Sequence, residues 1–143
     1  MSQLRLPYHE LSEAALQGLR SVKKYLEQSI LERRLLELVY LRISQINGCA
    51  FCLDMHSKAL RAQGELQQRL DALAGWHASH LFSAQERAAL QWAESLTHIS
   101  QTHAPDADYQ PLAQHFTDQE ISDLTFAIAN MNALNRLAIG MRQ

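Results

Sequence analysis

Two cysteines, Cys49 and Cys52, lie three positions apart and are the only cysteines in the 143-residue sequence. This spacing is close to one helical turn, so it brings the two sulfurs near enough to form a disulfide when either is oxidised. The pair directly follows Gly48, and glycine is typical of the end of a helix. At the start of the next helix, free backbone N–H groups and the helix dipole would stabilise a thiolate. The pattern therefore predicts a redox-active dithiol.

His56 lies four residues after Cys52, so the two side chains share one face of the predicted helix. A free cysteine thiol has a pKa of about 8.5, and a nearby imidazolium or a helix N-terminus lowers it to roughly 3.5–7.5. The thiolate is the reactive form. We therefore predict that His56 takes the proton of Cys52 or stabilises its thiolate.

The same residues permit other interpretations. The cysteines could be small buried side chains, and His56 could be an ordinary surface histidine. Cys49, Cys52 and His56 could also bind zinc, which takes four N or S ligands, with His77 or His80 as the fourth. No second CxxC and no HxxxH motif completes such a site, so redox chemistry is favoured. We expect the other histidines to be surface or structural residues: His9, His77, His80, His98, His103 and His115.

Helix position and acid–base geometry favour different cysteines as the attacking sulfur. Cys49 is nearest the free N–H groups of the helix start, which favours it in disulfide exchange. Only Cys52 lies one turn before His56, which favours it in proton transfer. We expect the neighbouring His56 to decide, so that Cys52 is the attacking sulfur, whereas Cys49, nearer the exposed end, resolves the product and meets the reductant.

Three capping boxes, each with a hydroxyl at the N-cap and a glutamate three residues later, predict helix starts. They begin at Ser29, Ser83 and Thr117. The helices that follow are predicted over residues 30–46, 84–100 and 118–139, with Gly140 as the last stop.

Two further helices are predicted between the first two boxes. One begins at the dithiol, continues to Ala62 or Gln63 and ends at Gly64. A shorter one covers residues 65–74 and ends at Gly75. The one clear loop is predicted around Pro105.

The predicted fold is all-α, because no segment alternates polar and apolar residues as a β-strand does. We expect a bundle of about six or seven helices in a single domain over residues 1–143, without a repeat or linker. The stretch from Leu124 to Asn135 carries no charge, which predicts burial in the core or in a subunit contact of a homo-oligomer. Its three asparagines argue against a membrane span.

The charge pattern excludes some classes of partner. Thirteen basic and fifteen acidic residues give a net charge of −2, and neither sign forms a long block. Nucleic acid and membranes are therefore not expected partners. The first ten residues contain no apolar stretch typical of a secretory signal, so a cytoplasmic protein is expected. In a reducing cytosol two cysteines do not form a structural framework, which favours a catalytic, redox-active or metal-binding pair.

Glu37, Cys49, Cys52 and His56 stand in a pattern that resembles the core of the alkylhydroperoxidase D (AhpD)-like proteins, in the carboxymuconolactone decarboxylase superfamily. The clear match spans about residues 29–64. Looser similarity continues at Trp76 and over residues 86–90, 92–94 and 132–136. The resemblance implies an all-helical bundle that assembles into trimers or hexamers.

The resemblance also implies a thiol peroxidase cycle. Cys52 attacks a hydroperoxide, becomes a sulfenic acid and is resolved by Cys49 into a disulfide. Glu37 is the terminal base, which draws the Cys52 proton through His56 and a water. No bound cofactor is implied. The electrons come from a dithiol reductant, a lipoyl- or thioredoxin-like protein.

The sequence departs from the family pattern at Phe51. The well-studied peroxidases have a histidine just before the second cysteine, so Phe51 removes a polar group from the site. The resemblance therefore fixes neither the rate of peroxide reduction nor the natural substrate.

Two other functions are alternatives. A lactone decarboxylase would share the superfamily fold, but its chemistry does not need the CxxC pair. A non-enzymatic redox-sensing or metal-binding helical module would switch a partner through its thiols and would be oxidised once without turnover. Without the family pattern, an ion pair with Arg33 or Arg34 explains Glu37 equally well.

Cys49 and Cys52 are expected to form a reversible intrachain disulfide. Mass spectrometry after alkylation, with and without prior dithiol treatment, measures it directly. Two thiols that remain alkylatable after peroxide treatment would contradict the redox hypothesis. Tightly bound, stoichiometric zinc would support the metal site instead.

Overall fold

The computed structural model describes residues 3–143, and this range contains only helices and their connections. The α-helices of the described range are α1 (Tyr8–Leu11), α2 (Glu13–Glu27), α3 (Arg33–Asn47), α4 (Ala50–Ala62), α5 (Gln67–Ala72), α6 (Ala84–Thr97), α7 (Ile99–Thr102), α8 (Asp106–Tyr109) and α9 (Asp118–Met141). Two 3₁₀ helices cover Leu73–Ala78 and Gln110–Gln114. Because α1, α7 and α8 are single turns, the longer helices form the bundle, and the predicted all-α fold is confirmed.

Helix α3 lies at the centre of the bundle and packs against α4, α6 and α9. Nine of its fifteen residues are buried. Its apolar side chains join two hydrophobic clusters, one shared with α6 and α9 and one with α4 and the segment after it. Burial of each large aliphatic side chain contributes about 1.5–3 kcal/mol, so packing fixes α3 and every group it carries.

Helix α2 was not predicted from the sequence, although apolar residues recur three or four positions apart along it, at Leu16, Leu19, Val22 and Leu26. Only Leu16 and Leu26 are buried along its fifteen residues. It packs against α9, where the Tyr25 hydroxyl donates to Asp123 Oδ1 at 2.9 Å. Contact with α9 therefore covers one side of α2.

The capping box predicted at Ser29 was wrong. Helix α3 begins at Arg33, and its N-cap residue, Glu32, makes no side-chain capping bond. The Ser29 hydroxyl instead donates to the Leu26 carbonyl at 2.8 Å and accepts the Leu31 N–H at 3.3 Å. Ser29 therefore closes the end of α2, which a hydroxyl can do as readily as it opens a helix.

The other two capping boxes are confirmed. The Ser83 and Thr117 hydroxyls accept the N–H groups of Glu86 and Glu120 at 3.1 and 3.2 Å, and each glutamate bonds back to the N-cap N–H. Helix α6 ends at Thr97, earlier than predicted, because the backbone leaves helical geometry at the next residue before the single turn α7.

The glycines divide into two groups. Gly48 and Gly64 have φ of 70° and 85° and end α3 and the turn after α4, as predicted. Gly75 lies within a 3₁₀ helix, and Gly140 lies within α9, so neither ends its helix as predicted. Arg142 takes the left-handed position after α9 with φ of 60°. A glycine stops a helix only where the backbone needs a positive φ.

The uncharged stretch of α9 is mostly core, as predicted. Leu124, Ile128 and Met131 are buried, whereas the Phe126 side chain is 60% exposed. Within residues 3–143, no helix has the length and apolar character needed to cross a bilayer. A subunit contact at this helix stays a prediction.

A buried amide network holds the end of α3 against α9. Asn47 Nδ2 donates to Asn132 Oδ1 and to Asn135 Oδ1, both at 3.0 Å. Asn135 Nδ2 donates to Ser44 Oγ at 3.2 Å, and the Ser44 carbonyl accepts the Cys49 N–H at 3.0 Å. The network therefore fixes the backbone that leads into the dithiol.

Asn135→Ala should loosen this turn. The substitution leaves the Ser44 hydroxyl without its amide donor and removes one acceptor from Asn47. We expect the free energy of unfolding to fall by about 1–3 kcal/mol and amide exchange at Cys49 to accelerate. Asn130→Ala is the control, because buried Asn130 donates to the Leu19 carbonyl on α2. Equal acceleration at Cys49 in both variants would contradict the role of the network.

Gly48→Ala and Gly140→Ala should change stability in opposite directions. A methyl group at either position meets nothing within 4 Å, so only the backbone differs. Alanine at the positive φ of Gly48 should cost about 1–2 kcal/mol, whereas alanine in the helical backbone of Gly140 should add up to about 1 kcal/mol. Denaturant unfolding measures both. Destabilisation of the same size at the two positions would contradict the assignment.

Candidate active site

The dithiol lies at the start of α4, as the sequence predicts. Cys49 is the N-cap residue and Cys52 lies in the first turn. The two residues form a disulfide, with Cα atoms 5.2 Å apart. The predicted closure of the pair is thus compatible with the backbone that the fold provides.

The helix start acts on the sulfur of Cys49. The backbone N–H of Cys52 points at Cys49 Sγ, at an N···S distance of 3.4 Å. Free N–H groups and the positive end of the helix dipole both stabilise negative charge on that atom. After reduction, Cys49 is therefore the thiolate that the backbone favours.

A buried acid–base pair lies behind the dithiol. His56 Nδ1 and Glu37 Oε2 are 2.7 Å apart, and both residues are buried. Glu37 comes from α3 and His56 from α4, so the hydrogen bond joins the two helices. A carboxylate accepts but does not donate, so with Glu37 ionised the Nδ1–H donates and Nε2 keeps a free lone pair.

The other ring nitrogen of His56 has no partner. Nε2 is buried and makes no hydrogen bond within the described part of the chain. Buried polar atoms are nearly always paired, so an unpaired one calls for an explanation such as catalysis. Cys52 lies one turn earlier on α4 and is also buried. In the reduced protein its thiol is the nearest candidate along this helix to donate to Nε2.

Both cysteines are buried. Cys49 is 1% exposed and Cys52 is 3% exposed, because Ala138 and Ile139 of α9 pack over both. Cys49 nevertheless lines a small open cavity of about 110 Å³, and Cys52 does not. A reagent that enters this cavity therefore meets Cys49 first.

Phe51 forms part of the wall of that cavity. Phe51 is 43% exposed, and Arg142 also lines the cavity. The residue that departs from the family pattern thus contributes an apolar surface beside Cys49.

The side chains that the sequence offered as other partners of the site residues make different contacts in the described part of the chain. Arg34 pairs with Glu65 at 3.2 Å, whereas Glu37 pairs with His56. His77 Nε2 lies 2.9 Å from Glu94 Oε2, and His80 is exposed. The described residues contain no group of three or more histidine, cysteine, aspartate or glutamate side chains placed to hold a metal ion.

The remaining predicted surface histidines are placed as expected. His9, His98 and His103 are exposed, and His115 is half-buried. Sequence reasoning missed Tyr40, whose ring centroid lies 5.3 Å from that of His56. The only local signal was its position three residues after Glu37, which places both on one face of α3.

Glu94 is a second residue that local patterns did not identify. Its carboxylate accepts Arg42 Nε at 2.9 Å and Trp76 Nε1 at 2.8 Å, and it contacts His77. Hydrogen bonds from His77, Trp76 and Arg42 outweigh burial and lower the pKa of Glu94. This cluster joins α3 to α6 outside the dithiol region.

Comparison with known proteins identifies the family of the chain. The model of the carboxymuconolactone decarboxylase family matches residues 11–95. The uncharacterised protein YdfG of Bacillus subtilis (strain 168) is 37% identical over 141 residues, which are 99% of this chain and 95% of YdfG.

Two crystal structures are similar in fold. ATU0492 from Agrobacterium tumefaciens, a protein of unknown function described as a candidate antioxidant defence protein AhpD, is 40% identical, with a TM-score of 0.94 over 99% of this chain and 97% of that chain. A peroxidase-related protein from Silicibacter sp. TM1040 is 26% identical, with a TM-score of 0.77 over 88% of this chain and 67% of that chain. With its helical bundle, its CxxC pair and these relatives, the chain is an AhpD-like member of the carboxymuconolactone decarboxylase family.

Proposed function

We propose that the protein is a dithiol peroxidase that reduces hydroperoxides and is recycled by a dithiol reductant. One observation carries the proposal: the buried Glu37–His56 hydrogen bond leaves His56 Nε2 unpaired one turn from a cysteine that can form a disulfide. An oriented base beside a thiol is the arrangement that activates a sulfur nucleophile.

The first step is oxidation of Cys52. His56 Nε2 takes the thiol proton, and the thiolate attacks the terminal oxygen of a hydroperoxide. The S–O bond forms as the O–O bond breaks, so Cys52 becomes a sulfenic acid and the peroxide leaves as an alcohol, or as water from hydrogen peroxide. The imidazolium returns the proton to the leaving oxygen, and Glu37 stabilises the imidazolium meanwhile.

The second step forms the disulfide. The Cys49 sulfur attacks the sulfur of the sulfenic acid, and the hydroxyl leaves as water with the proton of the Cys49 thiol. The N–H of Cys52 favours the thiolate form of Cys49, which is the nucleophile of this step.

The third step restores the dithiol. A thiolate of the reductant attacks Cys49 and releases Cys52, and this forms a mixed disulfide. The second thiol of the reductant then attacks this mixed disulfide and releases Cys49, so two electrons and two protons pass to the cysteines. Cys49 lines the open cavity, which supports it as the sulfur that is attacked. A lipoyl- or thioredoxin-like protein has the required pair of thiols.

Several finer points belong to the same proposal. We expect the protein to be located in the cytoplasm, because reduced dithiols are available there. We also expect a trimer or hexamer, and the exposed Phe126 on α9 is one apolar side chain that such a contact would cover. Light scattering at micromolar concentration measures the mass, and a monomer would contradict this expectation.

Activity with a lactone substrate is the alternative within the family, and a redox sensor is the alternative outside enzymes. Multiple-turnover assays with a peroxide and with a lactone distinguish the peroxidase from these two alternatives. Consumption of several peroxide equivalents with a dithiol supports the peroxidase. Decarboxylation of a lactone substrate, or one oxidation without further consumption, supports the alternatives.

Single-cysteine variants should behave asymmetrically. Cys49→Ser should give one sulfenic acid per chain with peroxide, trapped by a dimedone-type reagent, because Cys52 keeps its neighbour His56. Cys52→Ser should give little. Rapid trapping in Cys52→Ser and none in Cys49→Ser would reverse the roles, as the N–H bond to Cys49 Sγ would allow.

Substitution of the acid–base pair should slow oxidation without removing the sulfurs. General acid–base catalysis typically contributes about 10²–10⁴-fold, so we expect His56→Ala to slow sulfenic acid formation by about 10²-fold and Glu37→Gln to slow it less. Both variants should still form the disulfide. His77→Ala is the matched control, because His77 is exposed and contacts Glu94. Unchanged oxidation in His56→Ala would contradict its role.

A further inference from the structure

Tyr40 contacts the His56 ring and also lines a second opening of the protein. It is 4% exposed and occupies the same face of α3 as Glu37. Its ring is tilted by 48° against the His56 ring, with the centroids 5.3 Å apart. Contacts of this kind between rings contribute about 0.5–1.5 kcal/mol and depend on orientation.

The second opening is a cleft of about 20 Å³ between α2 and α3, which is the space of about one water molecule. Glu37 and Tyr40 line its inner end, and Lys23, Glu27 and Arg33 line it further out. The cleft shares no lining residue with the cavity at Cys49. Glu37 therefore meets solvent by a different opening from the one that leads to the sulfur.

The hydrogen bond to Glu37 fixes only one edge of the His56 ring. A bond at Nδ1 leaves the ring free to tilt about that contact, and a tilt would move Nε2 relative to Cys52. The Tyr40 ring packs against the imidazole, so it restricts this tilt. Burial, aided by the charges of Glu37 and Glu27 and opposed by Arg33, raises the pKa of Tyr40, so its phenol stays protonated and does not act as a base.

We propose that Tyr40 is a positioning residue of the acid–base pair: its ring holds the His56 imidazole towards Cys52 and separates that imidazole from the charged cleft. The inference rests on the proposed function of His56. It assigns the effect to the aromatic ring and not to the hydroxyl.

Replacement of the ring should weaken the activation of Cys52. In a non-aromatic variant, the imidazole loses its packing partner, and water from the cleft lined by Lys23 and Arg33 can reach it. A misplaced Nε2 no longer stabilises the Cys52 thiolate, so the pKa of that thiol should rise towards its free value.

The test measures the pH profile of Cys52 alkylation by iodoacetamide in the reduced full-length protein. A Cys49→Ser background isolates the single thiol. We expect Tyr40→Leu and Tyr40→Met to move the midpoint up by about one pH unit, which is about tenfold less thiolate below the midpoint. Tyr40→Phe should keep the midpoint found with tyrosine, because it keeps the ring. Its alkylation rate should lie within about twofold of the rate with tyrosine.

Leu35→Ala is the control for loss of packing. Leu35 is buried on α3 in the same hydrophobic cluster as Tyr40. Its truncation should lower the denaturant concentration at which the protein unfolds and leave the alkylation midpoint unchanged. A shift of the midpoint in Leu35→Ala as large as that in Tyr40→Leu would assign the effect to stability and overturn the proposal.

The outcomes separate this inference from the proposed function. If His56→Ala moves the midpoint but neither Tyr40→Leu nor Tyr40→Met does, the positioning role of Tyr40 is overturned and the role of His56 stands. If Tyr40→Phe shifts as far as Tyr40→Leu, the hydroxyl acts and the assignment to the ring is overturned. If His56→Ala itself leaves the midpoint in place, the proposed function fails first.

Discussion

The hydrogen bond between Glu37 and His56 is the interaction on which the rest of the candidate site depends. Two buried ionisable groups are unfavourable unless they are paired, and the loss of one leaves the other without compensation. The pair spans two helices, so α3 and α4 must keep a fixed distance and rotation. The core around α3 provides that rigidity, and the amide network of Asn47, Asn132 and Asn135 extends it to the turn that carries Cys49.

The two cysteines experience different physical influences although they are three residues apart. The helix N-terminus acts on Cys49, whereas the imidazole lies one turn beyond Cys52. A dithiol needs such a difference, because one sulfur must react with the substrate and the other must resolve the product and exchange with the reductant. The cavity reaches only Cys49, and the unpaired ring nitrogen lies on the Cys52 side of the same helix. Of the two sulfurs, Cys49 is therefore the one beside the cavity, whereas Cys52 is the one whose activation by the imidazole we propose.

Features that depend on nearby residues could be predicted from the sequence. Gly48, the capping boxes at Ser83 and Thr117, and the placement of the dithiol at a helix start all follow from local backbone chemistry. The family pattern singled out Glu37, which spacing alone left ambiguous. The capping box predicted at Ser29 was wrong because the Ser29 hydroxyl bonds to the end of the preceding helix. The four-residue pattern does not distinguish a hydroxyl that ends one helix from a hydroxyl that begins the next. Tyr40 and the asparagine network were missed because their contacts join distant parts of the chain, such as Asn47 and Asn135.

The most direct test of the central claim is the stoichiometry of hydroperoxide consumption. The reduced protein is mixed with excess hydroperoxide and a dithiol donor, and peroxide loss is followed for as long as the donor lasts. The account predicts many equivalents of peroxide consumed per chain, with one donor dithiol oxidised for each peroxide. Consumption that stops after one equivalent per chain while reduced donor remains would contradict it.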